Sequence, residues 1–92
     1  MKTNTKTVCV IVPAYNEATV IKDVIKQSKR VFAKAKATGY TIDVVLVNDG
    51  SKDDTLTQAK KGGAITIDHI LNSGAGGATL TGLSYARQHG YD

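Results

Sequence analysis

Short runs dominated by Val and Ile alternate along this chain with segments whose apolar residues recur every three or four positions. That alternation leaves few folds open. Residues 8–12 (VCVIV) and 44–47 (VVLV) are continuous apolar runs, the pattern of strands buried on both faces, and Pro13 is expected to end the first. Between them Val20, Ile21, Val24, Ile25, Val31, Phe32 and Ala35 fall at helical spacing, with Asn16 placed to cap the start and Gly39 to stop the helix. A second helix is expected from about Asp53 to Lys61, closed by Gly62 and Gly63. Residues 65–71 read as a third strand, NSGAGG as a glycine-rich turn, and residues 78–89 as a last helix ended by Gly90. The order is βαβαβα, which implies a Rossmann-like α/β fold with a parallel sheet. Right-handed crossovers then place the strands in the order third, second, first.

A length of 92 residues suits a single domain or part of one, without an internal linker. The net charge is +4, but six of the twelve basic residues (Lys22, Lys26, Lys29, Arg30, Lys34, Lys36) lie along the first helix at spacings that make them its solvated face. No nucleic-acid partner is expected from that charge. The single Cys9 lies within an apolar run, where it packs rather than reacts, and it cannot form an internal disulfide. Five apolar residues in a row are too few for a signal-peptide core or a membrane span, so a cytoplasmic chain is expected.

Ligands of open parallel sheets bind outside the carboxyl ends of the strands. The stretches PAYNE, NDGSKDD and NSGAGGA each follow a strand, so they gather on one rim. There Asp49, with Gly50 permitting a tight turn, can accept hydrogen bonds from a base edge or from sugar hydroxyls. Glu17 can do the same, and Tyr15 offers a ring for stacking. Each has a plainer explanation: Asp-Gly is a common turn pair, Glu suits a helix N-terminus, and Tyr15 can simply pack. Their convergence on one rim favours a ligand.

The glycine turn falls short of two phosphate motifs. A dinucleotide fingerprint needs Gly or Ala where Thr79 stands, and a P-loop needs Lys where Leu83 stands. What remains is that Gly74, Gly76, Gly77 and Ala78 allow close approach, either of a ligand to free helix amides or of the helix to the sheet.

Taken together, VIVPAYNE, VLVNDGSKDDT and NSGAGGATLTG resemble the three N-terminal motifs of family 2 glycosyltransferases, most closely the dolichyl- or polyprenyl-phosphate sugar synthases. The resemblance covers residues 8–92 and implies the N-terminal, nucleotide-binding half of a GT-A fold. It implies an inverting transfer of a sugar from a nucleoside diphosphate of UDP or GDP type to a polyprenyl phosphate or another hydroxyl acceptor, at the cytoplasmic face of a membrane and in cell-envelope synthesis. Pro13, Ala14, Tyr15, Glu17, Asp49, Gly50, Gly74 and Gly76 are the expected nucleotide-binding positions. Asn48 stands where the family often has an acid, and Ala75 where many relatives carry Lys. The resemblance also implies a divalent cation, Mg2+ or Mn2+, held by an Asp-x-Asp motif that does not occur in this sequence. The 92 residues alone are therefore expected to be a truncated portion without catalytic residues or transferase activity, and to self-associate as a homo-oligomer through an uncovered first strand. The alternatives are a nucleotide-binding or interaction module without catalysis, and a receiver-type domain; the second lacks the Lys it would need at the end of a late strand.

Overall fold

The computed structural model describes residues 6–69 and 72–92. Strand β1 is Lys6–Ala14, helix α1 is Ile21–Ala33, strand β2 is Tyr40–Asp49, helix α2 is Thr55–Gly62, strand β3 is Ile65–His69 and helix α3 is Gly74–Gln88. A 3-10 turn, Lys34–Thr38, joins α1 to β2 and ends at Gly39, whose φ is 90°. The three strands form one parallel sheet in the order β1-β2-β3, the arrangement expected from the alternation.

β2 is the middle strand, and residues 44–49 are all buried, which is why VVLV carries no polar interruption. Side chains alternate between the two faces of a strand. Ala14 and Leu46 point into a core with Ile21, Ile25 and Ala59, so α1 and α2 share that face. Ile11 points the other way, against α3, where Gly82 comes so close that a Cβ would stand 2.3 Å from the Ile11 Cγ2. The winding therefore advances from β1 to β3 over one face and returns over the other.

The return brings the chain to the outer side of β1. Lys6 N donates to Gly39 O at 2.9 Å, so by the alternation of a parallel ladder Thr7 and every second residue after it turn their backbone groups away from β2. Asp92 meets the first of these: its N donates to Thr7 O at 2.8 Å and its Oδ2 accepts from Thr7 N at 2.8 Å. Nearby, the Tyr91 hydroxyl donates to Asp43 Oδ2 at 2.7 Å.

Several boundaries differ from the sequence reading. Pro13 lies inside β1, opposite Val47, because its position is one whose missing N–H would face the open side of an edge strand. α1 begins at Ile21, and Asn16 is not its cap: Asn16 has φ 55°, while Glu17 O accepts from Val20 N and Ile21 N. Val20, Val24 and Val31, expected to face the core, are 50%, 49% and 61% exposed. α3 starts at Gly74, so most of the glycine-rich stretch is its first turn rather than a loop before it. Of the third strand's expected span, residues 70 and 71 lie outside the described residues.

Candidate functional site

The acidic cluster after β2 has two jobs, divided by residue. Asp53 serves the scaffold: Oδ1 accepts from Thr55 N at 3.0 Å and from the Thr55 hydroxyl, and Oδ2 accepts from Ala18 N at 3.3 Å. Asp54 accepts from Gln58 Nε2 at 2.9 Å, one helical turn on. Around them the loop after β1 is fastened to the loop after β2. Asn16 N donates to Ser51 Oγ at 2.9 Å, Lys52 N to Asn16 Oδ1 at 2.8 Å, and Glu17 N to Thr55 Oγ1 at 2.8 Å. Asn suits this crossing point because it tolerates positive φ while its side chain accepts.

Asp49 faces the other way, towards α3. Its Oδ1 accepts from Ser73 N at 2.9 Å and Ser73 Oγ at 2.7 Å, and lies 3.0 Å from His69 Nδ1. The Ser73 amide, followed by the His69 and Ser73 side chains, lowers the Asp49 pKa to about 2. An ionised carboxylate can only accept, so His69 carries its proton on Nδ1. The far ring nitrogen, Nε2, lies 2.8 Å from Thr81 Oγ1.

Beside Asp49 is a cavity of about 250 Å3 lined by Pro13, Ala14, Tyr15, Asp49, Asn72 and Gly74. It draws on the carboxyl ends of β1 and β2 and on the start of α3, where the winding reverses. Five of the eight expected positions thus meet on one wall: Pro13, Ala14, Tyr15, Asp49 and Gly74. The other three stand apart from that lining. Glu17 is exposed, its amide held by Thr55; Gly50 makes the turn after β2 with φ 75°; and a Cβ on Gly76 would meet nothing within 4 Å. Asn72 was overlooked, although it opens the quoted NSGAGG; its Oδ1 accepts from Gly74 N at 2.9 Å. His69, Ser73 and Thr81 were overlooked too, and only the strand register, which sets Asp49 beside His69, brings them in.

Among the described residues no group of three His, Cys, Asp or Glu side chains is arranged to hold a metal ion. Among the same residues no helix is long and apolar enough to cross a membrane.

A parallel α/β sheet with its cavity at the reversal of winding defines a Rossmann-like ligand-binding architecture. The family is more specific: the glycosyl transferase family 2 model matches residues 9–89, and the chain belongs to that family. It is 32% identical over 105 residues to UDP-N-acetylglucosamine--dolichyl-phosphate N-acetylglucosaminyltransferase of Methanococcus voltae, covering 95% of this chain and 38% of that protein. It is 38% identical over 88 residues to dolichyl-phosphate beta-glucosyltransferase of Drosophila melanogaster, covering 85% of this chain and 27% of that one. The chain thus spans only about a quarter to two-fifths of the length of these relatives. Among solved structures, the M. tuberculosis glucosyl-3-phosphoglycerate synthase superposes with a TM-score of 0.66 at 24% identity, over 87% of this chain and 30% of that one. That likeness bears on the fold, which is the GT-A type expected.

Proposed function

We propose that these residues form the donor-nucleotide side of an inverting glycosyltransferase that moves a sugar from a UDP- or GDP-linked donor to a polyprenyl-type lipid phosphate, at the cytoplasmic face of a membrane. The observation that carries the reading is the cavity joining Tyr15 and Asp49. Sites for drug-sized ligands begin at roughly 300 Å3, so a cavity of about 250 Å3 accommodates a nucleoside rather than a whole nucleotide-sugar. Tyr15, 44% exposed, offers a ring face to the base, and Asp49, ionised at neutral pH, accepts from a base N–H or ribose hydroxyls. The first turn of α3 lies beside them, where helix amides favour a diphosphate. The lipid-phosphate acceptor rests on the two dolichyl-phosphate relatives alone.

Calorimetric titration with UDP and GDP tests the reading. One of the two should bind, with an affinity unchanged by a magnesium chelator. Because a hydrogen bond to a charged acceptor contributes about 1.5–3 kcal/mol, Asp49→Ala should weaken binding by roughly tenfold or more. Equal affinity in wild type and variant would remove Asp49 from the pocket. Transfer of sugar by these 92 residues alone would overturn the expectation that they lack activity.

A further inference from the structure

Asp49 has two freely rotating side-chain bonds, yet three donors converge on one of its oxygens. Ser73 supplies two of them from the α3 cap. His69 supplies the third from the neighbouring strand, and its ring is itself fixed at the far nitrogen by Thr81, one turn further along α3 than Ala78. Asp49, His69 and Thr81 therefore form a chain of hydrogen bonds across β2, β3 and α3 on one face of the sheet. Nδ1–H donates to Asp49, with Ser73 Oγ 3.2 Å from the same nitrogen, and Nε2 pairs with the Thr81 hydroxyl. These three donors hold Oδ1, and the Gly74 amide lies beside the same carboxylate.

We infer that His69 is a positioning residue for nucleoside recognition: its Nδ1–H fixes the Asp49 carboxylate in the orientation that it presents to the cavity. This rests on the donor-nucleotide reading above. His69 does not line the cavity, so it acts through Asp49 and not on the ligand.

The test combines a spectroscopic readout with a rescue. Nitrogen-15 shifts of the His69 ring in the wild type should report the Nδ1-protonated tautomer. His69→Leu should weaken whichever nucleotide the wild type binds, UDP or GDP, by roughly tenfold, the scale of a hydrogen bond to a charged acceptor. His69→Asn, whose amide can donate from the place of Nδ1, should restore most of that loss. An Nε2-protonated ring, or a folded Leu variant that binds like wild type, overturns the inference and leaves the donor reading intact. A wild type that binds neither nucleotide overturns both. Should His69→Leu fail to unfold cooperatively, Thr81→Val takes its place, since it strips only the ring's far partner. Weaker nucleotide binding by that variant supports the inference, and unchanged binding overturns it.

Discussion

An aspartate that accepts from an amide, a hydroxyl and an imidazole through a single oxygen parts with its proton readily, and Asp49 is drawn down to about 2 accordingly. The unfolded chain holds that proton up to the ordinary aspartate range near ~3.9. Below that range the unfolded state binds more protons than the folded one, so the stability supplied by ionised Asp49 is complete above about pH 4 and lost as pH falls towards 2. Asp53, lowered chiefly by the Thr55 hydroxyl, acts in the same direction. Urea midpoints should therefore drop between about pH 4 and 2, and Asp49→Asn should flatten that drop; an identical profile in the variant would place the loss elsewhere. Gly77 guards the same contact sterically, because a Cβ there would stand 2.6 Å from Ser73 Oγ. Gly77→Ala should displace that hydroxyl from Asp49, lower stability by about 1 kcal/mol and weaken nucleotide binding, whereas Gly76→Ala, one residue earlier and facing open space, should do neither. Thermal unfolding and calorimetry of the pair would separate them. Asp49 was legible in the sequence because a carboxylate between a strand and a Gly is a local pattern. His69 was not, because its bearing on Asp49 comes from register across a gap of twenty residues.

Elements were legible at their centres and not at their ends. The apolar cores of β1 and β2 announce themselves, but Pro13 within β1 is intelligible only once that strand is known to be an edge. At and after the start of α1, Val20, Val24 and Val31 and, beside them, Ile21, Ile25 and Phe32 are both spaced as a helix face. Periodicity cannot choose between them; packing against Leu46 and Ala59 buries Ile21 and Ile25. The start of α3 was misplaced because glycine is read as a helix breaker, while here Gly74, Gly76 and Gly77 lie in its first turn; Gly82, further along, lets the helix approach β1. Gly82→Ala should accordingly destabilise the fold by about 1–3 kcal/mol through overpacking against Ile11, despite alanine's better helix propensity. A stabilised variant in urea unfolding would mean that α3 sits farther from the sheet.

For the molecule as a whole, the alternation of strand and helix carried the winding, the strand order and the rim on which the site lies. The same topology leaves β1 paired on one side only among the described residues. Asp92 covers that open side at Thr7, and beyond it the backbone groups of Cys9 and Ile11 point outward with no charged side chain of β1 nearby to repel a second strand. Such edges invite pairing. The chain is expected to self-associate through β1, and light scattering over a dilution series should show a dimer giving way to monomer; a monomer at every concentration would show the edge to be protected.

Asp49 ends the most deeply buried strand, while Tyr15 follows an edge strand. Local opening costs most where burial is greatest, so the Asp49 end of the cavity lining should open more rarely than the Tyr15 end. On the donor-nucleotide reading, a ligand meeting Asp49 would find its partner already in place and lose little entropy there; at Tyr15, 44% exposed, it would have to still the ring, although the backbone next to it is fastened through Asn16 to Ser51 and Lys52. On that reading, affinity would be limited by the order of the Tyr15 ring, and tighter or looser donor binding could be tuned at Tyr15 without disturbing the carboxylate.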